Sequence, residues 1–152
     1  MKIDSLAVGS IGTNCYILQD EAAKLCAVID PGDEPERILS AVEQTGCTPT
    51  MILLTHGHFD HYTAVKGLLE KWPELPVYIH ESDVTDKPVS SFGLLFPRLP
   101  DFAGGSYEDI LRSLKKLAQL PGQYQVYPGH DRSTNLDFER RVNPYVKQGL
   151  RK

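Results

Sequence analysis

The feature that most limits what this chain can become is a short apolar run that stops at a cluster of histidines. Met51-Ile52-Leu53-Leu54 is followed at once by Thr55-His56-Gly57-His58-Phe59-Asp60-His61. A run of that length with an abrupt polar end reads as a buried strand delivering a loop. Ala64, Val65, Leu68 and Leu69 then recur at helical spacing, so the histidines stand between a strand end and a helix start. His56 and His58 are two residues apart and point to the same side of an extended loop. Asp60 and His61 face the same space from the turn into the helix. Imidazole nitrogen with carboxylate oxygen suits zinc, and also iron or manganese. Four such side chains exceed what one catalytic ion takes from protein while keeping a position open for water, which points to two ions side by side. The alternative is a polar loop whose histidines are satisfied by hydrogen bonds. Three imidazoles and a carboxylate within six residues, directly after an apolar strand, weigh against it.

The rest of the chain supplies a layered frame for that loop. Residues 2–8, Cys15–Leu18 and Leu25–Ile29 read as strands joined by short polar links, an antiparallel meander. Asp30-Pro31-Gly32-Asp33 closes the third strand. Asp33 with Glu36 fits a capping box, Pro35 suits a first helical turn, and Gly46 is a stop for the helix whose apolar face is Ile38, Leu39, Ala41 and Val42. Val77-Tyr78-Ile79 reads as a further strand. Strands, helix, strand, helix, strand make half of an α/β sandwich.

Residues 81–105 lack a period and read either as a surface loop or as a lid with Phe92, Phe96 and Phe102 as apolar contacts. Ser106 with Asp109 opens another capped helix with Ile110, Leu111, Leu114, Leu117 and Ala118 as its buried stripe. Tyr124–Tyr127 is a short strand, and His130 follows its end. The last segment is helical and interrupted by Pro144.

The loop motif resembles the signature of the metallo-β-lactamase superfamily, and within it the glyoxalase-II-like hydrolases. Thr13-Asn14-Cys15-Tyr16, Ile29-Asp30-Pro31-Gly32, Tyr127-Pro128-Gly129-His130 and Glu139-Arg140-Arg141 with Asn143-Pro144 also look like that group, in the expected order. The resemblance implies an αββα sandwich. It assigns His56 and His58 to a first metal and Asp60, His61 and His130 to a second. It implies zinc, as one or two ions, with iron or manganese open. The implied reaction is hydrolysis of an ester or thioester, such as an acylglutathione, by a metal-activated water, with Asp60 also orienting the nucleophile. Asp30 either supports the metal ligands from behind or simply ends its strand.

One departure is large. The family carries further strands between its signature and the late Pro-Gly-His, and these supply a third histidine for the first metal and an aspartate bridging both. Here Pro97-Arg98-Leu99-Pro100 runs straight into Asp101-Phe102-Ala103-Gly104-Gly105-Ser106, and His80 does not match the missing turn. The expectation is a single domain over 1–152 with an apparent deletion junction near 100–101 and an incomplete sandwich. Lost strands leave edges uncovered, which a homodimer formed by strand exchange would cover. A non-catalytic metal-binding or interaction protein with a partial site is the competing class.

Composition narrows the partners. A net charge of −4 and the absence of any basic run give no electrostatic case for nucleic acid or an anionic membrane. Cys15, Cys26 and Cys47 are odd in number and sit in apolar or strand-like settings, as reduced thiols of a cytoplasmic protein do. No signal-peptide pattern or membrane-length apolar run is present in the sequence. A small-molecule ester or thioester is the expected partner.

Overall fold

The structure, a computed structural model, describes residues 1–84 and 107–151. The chain divides into two compact units, Met1–Leu99 with Gly129–Asp131, and Pro100–Pro128 with Arg132–Lys152. The possible lid with Phe92, Phe96 and Phe102, the junction near 100–101 and the Ser106 cap lie outside the described residues.

The first unit is built on a five-stranded sheet in the order β1-β2-β3-β4-β5. Its strands are β1 (Lys2–Val8), β2 (Thr13–Asp20), β3 (Leu25–Ile29), β4 (Thr48–Leu53) and β5 (Val77–Tyr78). β1, β2 and β3 form the expected antiparallel meander, with Leu6 opposite Cys15 and Ile17 opposite Val28. The chain then leaves through α1 (Pro35–Thr45) and returns as β4, parallel to β3 with Ile29 opposite Leu53. It crosses again through α2 (Phe59–Tyr62) and α3 (Val65–Lys71) to β5, parallel to β4. Parallel neighbours require such crossovers, and the carboxyl ends of parallel strands are where open α/β sheets place ligands. Asp30 and Thr55 are delivered to that end.

The core explains why the crossovers pack. Cys15, Ile17, Val28 and Ile52 of the sheet meet Ile38 and Val42 of α1 and Val65 and Leu68 of α3, all almost fully buried. Burial of Cys15, Tyr16 and Ile17 in succession shields both faces of β2 at that point. Gly67 on α3 lets Pro35 of α1 close in, since a Cβ there would lie 2.6 Å from the proline ring.

The start of α1 departs from the expected capping box. The residue before the helix is Glu34, in the left-handed region at φ 53°, and no side chain caps the helix. Asp33 instead accepts from the Glu34 amide, and Glu34 accepts from the Gly9 amide while pairing with Arg37. The box of Asp33 and Glu36 does not form: Asp33 is turned to the adjacent amide, and it is Glu34 that reaches the β1–β2 turn. Pro35 at the first turn and Gly46 as a left-handed C-cap are as expected.

The second unit contains α4 (Tyr107–Ala118), β6 (Gln125–Val126), β7 (Thr134–Asn135), α5 (Leu136–Val142) and α6 (Pro144–Arg151), with β6 and β7 antiparallel. α4 packs on α6 where Gly149 allows close approach: a Cβ there would sit 2.7 Å from the Leu111 carbonyl. That contact covers Leu111 and Ala118. Ile110 and Leu117 are each 53% exposed, so only part of the expected apolar stripe is buried. Pro144 does divide the last segment: Asn143 ends α5 and its side chain accepts from the Tyr145 and Val146 amides that begin α6. Among the described residues, no helix is long and apolar enough to cross a membrane.

Candidate metal centre

The site is assembled in the first unit from three chain segments held by backbone contacts. The Asp30 amide donates to the Leu53 carbonyl (3.0 Å), and the Ala64 amide donates to the Pro31 carbonyl (3.0 Å). These bonds tie the β3 end to both sides of the histidine loop. The Asn14 amide donates to the Gly129 carbonyl (2.7 Å) and its side chain to the Asp131 carbonyl (2.8 Å), anchoring the turn that carries His130.

Two glycines make the approach possible. A Cβ on Gly32 would lie 1.7 Å from the Asp60 carbonyl oxygen. A Cβ on Gly129 would lie 2.7 Å from His61 Cε1. The glycines of the Asp-Pro-Gly and Pro-Gly-His motifs are therefore steric seats for Asp60 and His61.

Asp60, His61 and His130 converge. One ligand atom from each lies within 4.8 Å of the others. Asp60 Oδ2 is 3.3 Å from His61 Nε2 and 3.2 Å from His130 Nε2. His61 is buried and Asp60 nearly so, whereas the His130 side chain is 46% exposed, so the group opens to solvent on one side.

Each member is set by a neighbour. Thr13 donates its hydroxyl to Asp60 Oδ2 (2.8 Å). Burial pushes the Asp60 carboxyl up, but the Thr13 hydrogen bond, His61, its own backbone amide and His130 outweigh it and hold it below the usual carboxylate range. Asp60 is thus an anion at neutral pH. Asp30, itself buried, accepts from the Thr55 amide (2.8 Å) and hydroxyl (2.7 Å). Its Oδ2 also lies 3.0 Å from His61 Nδ1, though not aligned as a hydrogen bond. That carboxylate favours a proton on Nδ1 and leaves the Nε2 lone pair for the site.

His56 and His58 do meet, as their spacing predicts, but they bond to each other: His56 Nε2 and His58 Nδ1 are 2.8 Å apart. His56 Nδ1 is 3.0 Å from the Thr55 hydroxyl. Since that hydroxyl donates to Asp30, it accepts from His56 Nδ1, and His58 Nδ1 then donates to His56 Nε2. The rings crowd, with His56 centred 4.1 Å from His61 and His61 5.4 Å from His130. Burial, then the nearby His61 and His58 rings, push the His56 pKa down, which keeps it neutral. His80, exposed beyond β5, is not a member of the converging group.

The donor set fits a metal ion. An ion with bonds of about 2.0–2.2 Å to nitrogen and oxygen in tetrahedral geometry separates its ligand atoms by roughly 3.3–3.6 Å. The Asp60 separations fall at or just under that range. His61 Nδ1 is a buried polar atom without an aligned partner, beside a carboxylate suited to hold its ring for Nε2 ligation. Sequence reasoning overlooked Thr13, Thr55, Gly32 and Gly129 as parts of this centre. The only signal for them was their place in or beside the short motifs.

A model of the metallo-beta-lactamase superfamily matches residues 8–97, and the chain belongs to that superfamily. The fold agrees, with a mixed α/β arrangement that matches solved metallo-β-lactamase folds. The chain is similar to a probable metallo-hydrolase, YqgX, of Bacillus subtilis, 38% identical over 98 residues that make up 62% of this chain and 45% of that protein. The match thus spans less than half the length of that relative. An uncharacterized protein of Mycobacterium leprae is 26% identical over 218 positions, covering 97% of this chain and 99% of the relative. Against 152 residues here, 218 positions leave at least 66 of them without a counterpart in this chain. Among solved structures, TTHA1623 in a di-iron-bound form superposes with a TM-score of 0.72 at 30% identity, covering 93% of this chain and 99% of that one.

Proposed function

We propose that this chain is a metal-dependent hydrolase of ester or thioester bonds, of glyoxalase-II-like type, acting in the cytoplasm. The observation that carries the reading is the convergence of Asp60 Oδ2, His61 Nε2 and His130 Nε2 at an accessible edge of the sheet. Zinc is the first candidate metal, and iron the second, since the similar TTHA1623 binds a pair of irons. Asp60, His61 and His130 would hold the ion, which when bound would supply Lewis acidity for an acyl carbonyl and for water near neutral pH. Asp60 stays anionic beside the Thr13 hydroxyl and also orients the attacking water. Asp30 fixes the His61 ring from behind, and the exposed side of His130 admits substrate.

The test is hydrolysis of an acylglutathione by the purified full chain, before and after chelation and zinc reconstitution, with His130→Ala alongside. The reading predicts turnover that chelator abolishes, zinc restores and the variant lacks. Turnover indifferent to chelator would refute it. A second reading, a metal-binding or interaction protein with an impaired site, is favoured by the 66 or more positions that the mycobacterial relative has and this chain lacks. Exposed Ile110, Leu117, Phe138, Val142 and Tyr145, all on helices, support association into a homodimer, which sedimentation would reveal; exchange of strands within it is proposed from the positions that this chain lacks.

A further inference from the structure

We propose that this chain binds a single divalent ion, through Asp60, His61 and His130, while His56 and His58 stay hydrogen-bonded to each other. The inference rests on the metal-binding part of the proposed function and not on hydrolysis. Three observations carry it.

The first is convergence. One carboxylate oxygen faces two imidazole nitrogens at 3.3 and 3.2 Å, and each of the three groups is braced. Thr13 holds Asp60, Asp30 stands behind His61, and Asn14 anchors the turn carrying His130. Three protein ligands with a position left for water make a sound ion site.

The second is that the other pair is already satisfied. His56 Nε2 accepts from His58 Nδ1 at 2.8 Å, and His56 Nδ1 is held by a Thr55 hydroxyl that itself donates to Asp30. An ion at that pair must displace the proton between the rings and gains two neutral ligands in return. His56 and His58 are not in the group of three that converges among the described residues. The one further histidine in the sequence, His80, is exposed and outside that group.

The third is charge. A second dication a few ångströms from the first needs anionic ligands between them to offset their repulsion. Among the described residues, the carboxylate at the site is Asp60, whose Oδ2 already faces His61, His130 and the Thr13 hydroxyl. Asp30 is buried behind, taken up by Thr55 and His61.

The experiment is equilibrium dialysis of the full chain against excess zinc, followed by elemental analysis, on wild type, His130→Ala and the double variant His56→Ala/His58→Ala. Circular dichroism and thermal unfolding of the zinc-free proteins report folding. The His130 side chain is 46% exposed, so its truncation leaves the fold intact. The expected result is about one zinc per chain in wild type and in the double variant, with affinity lowered roughly tenfold or more in His130→Ala. Two zinc ions per wild-type chain, none, or loss of the ion in a folded double variant would each overturn the proposal. One ion without acylglutathione hydrolysis would leave it standing and remove the hydrolase reading.

Discussion

Replacing Gly129 by alanine places a methyl carbon 2.7 Å from His61 Cε1. Carbon atoms not bonded to each other pack at about 3.5 Å or more, so the ring or the turn must give by roughly 0.8 Å. His61 is 1% exposed and lies between Asp30 and Asp60, so it has little room to yield. A displacement of that size opens the 3.0 Å contact to Asp30 and the 3.3 Å contact to Asp60. Overpacking of this kind costs about 1–3 kcal/mol in stability. Disturbing the alignment of a ligand typically weakens metal affinity about 10–100-fold. The assay is zinc competition against a chromophoric chelator, with urea unfolding of the zinc-free protein. Gly46→Ala is the control: its backbone is left-handed (φ 66°), which Gly129 is not, so a side chain there lowers stability, but the added Cβ meets nothing within 4 Å and leaves zinc affinity untouched. If Gly129→Ala binds zinc as tightly as wild type, either His61 is not a ligand or the turn is not the wall that holds it.

Three other outcomes follow from the same geometry. Asp30→Asn puts an amide donor among the Thr55 and His61 groups that Asp30 now serves, and is expected to cost about 1–3 kcal/mol in urea unfolding; an unchanged midpoint would contradict the bracing role. The folded-state pKa of His56 is depressed below its ordinary 6.5, chiefly by burial, so the unfolded chain takes up that proton first. Stability of the zinc-free protein is therefore full above about pH 6.5 and is lost as pH falls through that value toward the folded pKa; a stability that rises from pH 7 to pH 5.5 would refute this. Burial pushes the Cys15 thiol up to about 12 and the Cys26 thiol up to about 11, so neither reacts with a thiolate-selective disulfide reagent at pH 7.5 until urea unfolds the chain.

What could be read from residues alone was local. The β1–β3 meander, the helix ending at Gly46 and the strand that stops at Thr55 all follow from period and punctuation within a dozen residues. The metal-type character of the histidine loop was legible for the same reason. What escaped was long-range. Thr13 and Asp60 are 47 positions apart, and no pattern in the chain announces that one hydroxyl donates to the other. Gly32 and Gly129 read as turn residues, whereas their use is the space they leave beside Asp60 and His61. Asp30 could be read as a strand end or as support for the site, and it is both: the β3 end places it where Thr55 and His61 reach it. The start of α1 shows the reverse error, a plausible capping motif that does not form: Asp33 accepts from the adjacent Glu34 amide and no side chain caps the helix. Helical period placed Ile110 and Leu117 on an apolar stripe of α4, but period does not report which part of a stripe has a neighbour to cover it.

The most direct measurement is a crystal structure of the zinc-loaded chain with anomalous diffraction collected at the zinc edge. The account predicts an anomalous peak bonded at about 2.0–2.2 Å to Asp60 Oδ2, His61 Nε2 and His130 Nε2. A peak held by His56 and His58 instead, or none near Asp60, would contradict it.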